Sequence, residues 1–189
     1  MEAFIVSAAV VAIGEIGDKT QLLALLLGAR FRQPVPIIAG IFCATLLNHL
    51  LAGLLGNWIR SAVNPDVLRW GLAASFLAIA AWALKPDTLD EKPREDLGRY
   101  GVFAMTLIAF FFAEIGDKTQ LATIALAARF HSLAAVVAGT TTGMLIADVP
   151  AVLLAEKVSL RIPLKAVRYV AAALFAVMGA TLIAGIRIF

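Results

Sequence analysis

The sequence has few charged residues. Asp, Glu, Lys and Arg make up 15% of its 189 residues, whereas soluble domains contain roughly 25%. Hydrophobic residues make up 61% of the chain, and the mean hydropathy is +0.91. The chain therefore lacks the polar side chains that a water-exposed surface needs. This composition excludes an ordinary soluble domain and predicts a protein embedded in a membrane.

Cysteine is also scarce, because Cys43 is the one cysteine. A disulfide within the chain is excluded, and Cys43 lies in an apolar stretch where a thiol packs as a small hydrophobic group. The N-terminus has no basic segment and no clean small-residue cleavage site, so we expect no removable signal peptide. The net charge is +3. The basic residues stand singly between apolar runs, which indicates orientation in a bilayer and not nucleic-acid binding.

Six apolar segments have the length of about 20 residues that a membrane span requires. They cover residues 3–28, 34–58, 66–85, 101–128, 133–155 and 164–186. The polar stretch 86–99 separates the first three segments from the last three, and we expect a solvated linker there. The connections after the first, third and fifth segments hold ten Lys and Arg residues, against four on the opposite side. The positive-inside rule then predicts both termini outside and the linker in the cytoplasm.

The two parts of the chain repeat one another. The octapeptide EIGDKTQL occurs at residues 15–22 and again at 114–121, an offset of 99. The same offset relates further residues, namely Ala29-Arg30-Phe31 to Ala128-Arg129-Phe130, Gly40 to Gly139, Arg69 to Arg168 and Phe76 to Phe175. The chain thus divides into one three-helix repeat at 1–85, the linker 86–99, and a second repeat at 100–189.

An odd number of spans in each repeat gives the two repeats opposite orientations in the membrane. The predicted fold class is an all-α integral membrane protein, with six transmembrane helices in two inverted-topology three-helix repeats. Inverted repeats are typical of transporters, which bind their substrate near the membrane midplane where the repeats meet.

Four acidic residues lie about halfway along predicted spans: Glu15, Asp18, Glu114 and Asp117. One charge at the bilayer centre costs at least about 2.5–3.5 kcal/mol, so four of them indicate a function. Spacing of i, i+3 places the two acids of each copy on one helix face. Two antiparallel copies can therefore bring all four carboxylates together, which predicts a site for a hard divalent cation.

Neighbouring residues can complete this site with neutral oxygens. The candidates are the amides and hydroxyls that follow each acidic pair: Gln21, Gln120, Thr20 and Thr119. The glycines beside the acids, Gly14, Gly17 and Gly116, can loosen the helix so that backbone carbonyls join the ligands.

Lys19 and Lys118 have two interpretations. They can form i, i+4 ion pairs with Glu15 and Glu114 that only hold each helix together. Alternatively, two lysines and four acids form a site of net charge −2, which one divalent ion neutralises. Without the metal, protons must relieve the repulsion between the carboxylates. Metal and protons then compete for the same oxygens, which predicts exchange of one for the other.

Two further polar positions lie within predicted spans. Asn48-His49 in the second span corresponds, at the offset of 99, to Ala147-Asp148 in the fifth. Ionisable residues inside a membrane are functional candidates. Asp148 can relay protons or join the site, and His49 can favour a transition metal over calcium. The alternative for both is a hydrogen bond between helices.

The motif E-x-G-D-K-[T/S], present once in each half, resembles the Gdt family of cation/proton exchangers. That family includes bacterial manganese exporters and Golgi manganese/calcium transporters. The resemblance covers essentially the whole chain and implies export of Mn²⁺, or of Ca²⁺, in exchange for H⁺, with the motif acids as ligands. It implies no enzymatic activity and no resident cofactor. The compact length resembles a form from the bacterial inner membrane, with the lipid bilayer and a divalent metal ion as partners and no nucleic acid.

Two alternative functions are intramembrane proteolysis and export of small organic solutes. Intramembrane aspartyl proteases need glycine three residues before the aspartate of G-x-G-D, and this chain has Glu15 and Glu114 at those positions. An exporter of small organic solutes such as amino acids would fit a related six-helix plan, but it would need fewer acids and an apolar pocket.

Overall fold

A computed structural model describes residues 1–85, 101–155 and 164–185 of the chain. Within these ranges the chain forms eight helices. They are α1 (Glu2–Glu15), α2 (Lys19–Phe31), α3 (Pro34–Ala62), α4 (Pro65–Ala83), α5 (Gly101–Glu114), α6 (Lys118–Arg129), α7 (Leu133–Leu154) and α8 (Leu164–Ile183). The predicted linker 86–99 lies outside the described residues.

The described helices number eight, where the sequence predicts six, because the first and fourth predicted spans are interrupted. Helix α1 ends at Glu15 and α2 begins at Lys19, while α5 ends at Glu114 and α6 begins at Lys118. Both interruptions fall inside the repeated octapeptide. The all-helical prediction is confirmed for the described residues, and the two breaks are an addition to it.

In the part of the chain that the structure describes, three helices are long and apolar enough to cross a membrane: Pro34–Ala62, Pro65–Ala83 and Leu133–Leu154. Two shorter apolar stretches, Gly101–Glu114 and Arg168–Ile183, accompany them. Both α3 and α4 begin with proline in the first helical turn, where the missing backbone donor has no cost. These lengths and compositions agree with a multi-pass membrane protein.

One face of α3 exposes a continuous set of large apolar side chains. Leu47 is 46% exposed, Leu51 50%, Leu54 48% and Trp58 63%. Contiguous exposed apolar surface of this kind is unfavourable in water and marks contact with a membrane or a protein. Lipid is therefore the natural neighbour of this face.

The helices of the first half pack chiefly against those of the second half. Helix α1 lies along α7, α3 lies along α5 and α6, and α4 lies along α8. Equivalent helices therefore make equivalent contacts: α1 with α7 corresponds to α5 with α3. Among the short helices α1 contacts α6 and α2 contacts α5, and the long helices α3 and α7 pack against them.

Two glycines allow the closest of these approaches. A Cβ atom on Gly40 of α3 would lie 2.8 Å from the backbone oxygen of Phe103 in α5. At the equivalent position of α7, a Cβ atom on Gly139 would collide with the backbone oxygen of Phe4 in α1. Because no larger residue fits at either point, glycine lets each short helix contact its long neighbour directly.

Candidate metal site at the two helix breaks

The two helix breaks share one backbone conformation. Gly17 has φ of 81° and Gly116 has φ of 75°, a left-handed conformation that only glycine adopts without strain. In each turn the following aspartate donates its backbone N–H to the last glutamate of the preceding helix. The distances are 2.9 Å from Asp18 to Glu15 and 3.1 Å from Asp117 to Glu114. The octapeptide thus ends one helix and starts the next within three residues.

The glutamines of the octapeptide stabilise these turns. The Gln21 side-chain oxygen accepts a hydrogen bond from the Gly17 N–H at 2.8 Å, and Gln120 does the same for Gly116 at 2.8 Å. The Gln21 amide nitrogen also donates to the backbone oxygen of Ala147 in α7 at 3.0 Å. The sequence predicts these glutamine oxygens as metal ligands, whereas the structure places both on backbone donors.

The lysines form ion pairs between the two copies of the octapeptide. Lys19 Nζ lies 3.0 Å from Asp117 Oδ1, and Lys118 Nζ lies 2.9 Å from Asp18 Oδ1. These two pairs join different copies, unlike the i, i+4 pairs with Glu15 and Glu114 that the sequence also allows. Each lysine neutralises the aspartate of the other copy, so both breaks lie at one place in the molecule.

Three of the four predicted acids form a cluster. Glu15, Asp18 and Asp117 each offer an oxygen, and these oxygens lie within 4.8 Å of one another. Glu15 is fully buried, and the two aspartates are 2% exposed. Two atoms that bind the same ion, each roughly 2.0–2.4 Å from it, lie about 3–4.8 Å apart. The cluster therefore has the dimensions of a metal site that both copies share.

The threonines of the two copies contact different acids. The Thr20 hydroxyl donates to Glu15 Oε2, whereas the Thr119 hydroxyl donates to Asp117 Oδ2 at 3.3 Å. Asp117 also accepts the backbone N–H of Thr119 at 3.5 Å, so it caps α6. Both threonines thus orient carboxylates of the cluster.

The fourth acid, Glu114, faces α3. Its Oε2 atom lies 3.6 Å from Nε2 of His49, and both side chains are fully buried. This separation is too long for a hydrogen bond, and neither ring nitrogen of His49 has a hydrogen-bond partner among the described residues. The adjacent Asn48 donates to the backbone oxygen of Phe111 at 3.0 Å. Asn48 therefore makes the interhelical hydrogen bond, whereas His49 is left without one.

Asp148 of α7 is the counterpart of His49 in the second half. It is fully buried, and neither of its carboxylate oxygens has a hydrogen-bond partner in the part of the chain that the structure describes. The adjacent Ala147 accepts the hydrogen bond from Gln21 at 3.0 Å, which places this part of α7 beside the first break. Asp148 thus adds a fifth buried carboxyl group beside the two breaks.

A small cleft beside the cluster contains a residue whose proximity to the site the sequence did not predict. The cleft is lined by Asp18, Lys118 and Arg168, together with Gly14 and Gly17. From the sequence, Arg168 is only the match of Arg69 in the repeat and one of the basic residues that predict orientation in the membrane. Its equivalence to Arg69 indicated a repeated position in the two halves but gave no sign of proximity to Asp18.

The helix ends add to the electrostatics of the site. Helices α1 and α5 both end at the breaks, and the C-terminus of a helix carries roughly half a negative charge. Helices α2 and α6 begin at the same breaks, and their positive N-termini offset this charge. The buried carboxylates therefore supply the negative charge of the region. Such an arrangement suits a hard cation and is unfavourable for an anion.

Known proteins resemble this chain over most of its length. The model of the family described as "Divalent cation/proton antiporter GDT1" matches residues 3–91 and 102–187. A candidate manganese exporter from Vibrio cholerae is 50% identical over 179 residues, which cover 94% of this chain and 88% of that protein. A GDT1-like protein from Synechocystis is 29% identical over 193 residues, which cover 93% of this chain and 93% of that protein.

A plant relative is more distant. The GDT1-like protein 3 of Oryza sativa is 26% identical, over 85% of this chain and 67% of its own length. No solved structure matches the chain. The family match spans both octapeptides and nearly all described residues, so the chain belongs to the GDT1 family of divalent cation/proton antiporters.

Proposed function

We propose that this protein is a secondary transporter that exports a divalent cation from the cytoplasm in exchange for protons. Mn²⁺ is the primary substrate and Ca²⁺ the second. The observation that carries this proposal is the cluster of Glu15, Asp18 and Asp117, whose oxygens come from both octapeptides and lie within 4.8 Å. The manganese exporter named among the relatives supports the choice of Mn²⁺.

The proposed ligands are the four motif acids, with Glu114 joining the three clustered carboxylates when the ion binds. Thr20 and Thr119 orient two of these carboxylates through the hydrogen bonds described above. Gln21 and Gln120 have a supporting role in this proposal, because their oxygens already accept backbone hydrogen bonds at the breaks. Backbone carbonyls at the ends of α1 and α5 supply the remaining oxygens.

Exchange follows from the crowding of buried negative charges. Carboxylates held this close repel one another unless a cation or protons neutralise them. A divalent ion therefore displaces protons when it binds, and protons displace the ion from the other side. Asp148, buried and without a hydrogen-bond partner among the described residues, is the proposed additional proton carrier. Lys19 and Lys118 keep the two breaks together while the site empties and fills.

The proposed topology has six membrane spans in two inverted repeats, where α1 with α2 and α5 with α6 each form one interrupted span. Reciprocal contacts support it: the Lys–Asp pairs are exchanged between copies. The rings of Phe76 and Phe175, which are equivalent residues, stack with centroids 6.4 Å apart, as residues on a two-fold axis would. Interrupted spans at the junction of inverted repeats suit alternating access around a midplane site.

The proposed location is the bacterial inner membrane, with both termini outside and the linker 86–99 in the cytoplasm. The support is the distribution of Lys and Arg along the sequence. In this orientation, export moves the ion away from the side on which the linker lies.

An amino-acid exporter remains the alternative, and a large apolar groove among the described residues meets only one of its requirements. This groove of about 470 Å³ lies between α3, α4 and α6. Ser75 and Trp82 are its only described lining residues with polar side-chain atoms, and no described lining residue is charged. It therefore offers no partner for the ammonium or carboxylate group of an amino acid, whereas the charged cluster suits a metal ion.

Transport in proteoliposomes tests the proposal. We expect a pH gradient alone to drive Mn²⁺ across the membrane, and we expect Mn²⁺ movement to carry protons in the opposite direction, measured with an internal pH dye. The matched control is Asp18→Asn, which removes one charge of the cluster and should reduce both signals by about 100-fold. Mn²⁺ flux that ignores the pH gradient would refute proton exchange, and absence of flux with every divalent ion would refute metal transport.

A further inference from the structure

His49 is fully buried beside the acidic site. Among the described residues there, it is the one whose potential metal ligand is an imidazole nitrogen and not a carboxylate oxygen. Its side chain is 0% exposed, and both ring nitrogens lack a hydrogen-bond partner among the described residues. Burying an imidazole without such partners is unfavourable. A structural role as an interhelical hydrogen bond is therefore not fulfilled, and Asn48 already makes that bond.

The position of His49 relates it to the ion. Its Nε2 atom lies 3.6 Å from Glu114 Oε2, within the range of about 3–4.8 Å that separates two ligands of one metal ion. Glu114 in turn ends α5 at the second break, and its backbone oxygen accepts a hydrogen bond from the N–H of Asp117, a member of the cluster, at 3.1 Å. Glu114 therefore connects the imidazole to the three clustered carboxylates.

We propose that His49 provides a nitrogen ligand to the transported ion, beside Glu114, and so makes the protein prefer Mn²⁺ to Ca²⁺. Ca²⁺ binds oxygen ligands, whereas imidazole nitrogen binds first-row transition metals. The equivalent residue of the other half is Asp148, an oxygen ligand type. At this position the two halves thus differ in a side chain that can distinguish these ions. This inference rests on the proposed transport function.

Electron spin-echo spectroscopy of bound Mn²⁺ tests the proposal directly, because a coordinated imidazole modulates the echo through its nitrogen nucleus. The chain has two histidines, and His131 is exposed, so His131→Gln is the matched control. A purification tag without histidine is required. We expect nitrogen modulation in the parent and in His131→Gln, and its loss in His49→Gln.

Competition measurements give the second readout. We expect His49→Gln to lower the preference for Mn²⁺ over Ca²⁺ by about 10-fold, since the amide offers an oxygen in place of the nitrogen. His131→Gln should leave the preference unchanged. Parent protein that binds and transports Mn²⁺ without nitrogen modulation would overturn the role of His49 alone. Parent protein that binds no Mn²⁺ would instead contradict the proposed function.

Discussion

The two copies of EIGDKTQL are identical in sequence and similar in backbone, yet their side chains have different surroundings. In the first copy, Glu15 accepts a hydrogen bond from Thr20 and belongs to the three-carboxylate cluster. In the second copy, Glu114 faces His49 and lies outside that cluster. The lysines differ as well, since the side chain of Lys19 is 27% exposed and that of Lys118 is 8% exposed.

These differences originate in the neighbouring long helices. Helix α3 brings His49 to the second copy, whereas α7 carries Asp148 at the equivalent position. Local sequence therefore determines the helix break, and tertiary neighbours determine which chemistry each copy acquires. An asymmetric pair of copies can hold one ion with unequal ligands, which a perfectly symmetric site could not do.

The largest expected effect tests whether both copies serve one site. We expect Asp18→Asn and Asp117→Asn each to reduce Mn²⁺ transport by about 100-fold, because each variant removes a charged cluster ligand. Initial rates in proteoliposomes provide the measurement. Glu2→Gln, at an exposed N-terminal acid, is the control and should transport normally. Normal transport by either aspartate variant would show that a single copy suffices.

The ion pairs between copies should have unequal effects on stability. Breaking a buried pair by removing one partner costs about 3–5 kcal/mol, so we expect a large loss of thermal stability in Lys118→Met. Lys19→Met should cost less, because water reaches the more exposed Lys19. Thermal unfolding in detergent without metal compares the two variants.

Charge exchange identifies the partners of these pairs. We expect the double variant Asp18→Lys with Lys118→Asp to be more stable than Asp18→Lys alone. The double variant Asp18→Lys with Lys19→Asp stays within one copy and should recover nothing. Recovery in the second double variant instead of the first would contradict pairing between the copies.

The smallest expected effect concerns the backbone of the breaks. Gly116→Ala should cost about 1–2 kcal/mol, because an alanine is strained in the left-handed conformation. No atom lies within 4 Å of the added methyl group, so crowding cannot explain a loss. Gly71→Ala in α4 is the control, since it also enters open space within a helix and should be neutral or stabilising. Equal melting temperatures for the two variants would refute the strained turn.

Several features of the fold could be predicted from composition and repetition. The apolar segments predict the long helices, because burial of apolar side chains in lipid requires about 20 residues for each span. The repeated octapeptide indicated that both acidic motifs belong together. It could not reveal that Lys19 pairs with Asp117 and Lys118 with Asp18, because that pairing depends on how α1 and α5 pack against α7 and α3.

Other features of the site depend on the folded arrangement. The sequence could not decide whether the helices break at Gly17 and Gly116, because glycine is tolerated in membrane helices with or without a break. The use of the Gln21 and Gln120 oxygens as acceptors for backbone N–H groups follows from these turns. The approach of Arg168 to Asp18 likewise arises from packing between α8 and the first break.

The central claim is that the two octapeptides jointly hold one divalent ion. Calorimetric titration of the purified parent protein with Mn²⁺ measures this directly, and we expect one ion per chain. Asp18→Asn and Asp117→Asn should each remove that binding event entirely. Two ions per chain, with each variant losing only one of them, would contradict the shared site.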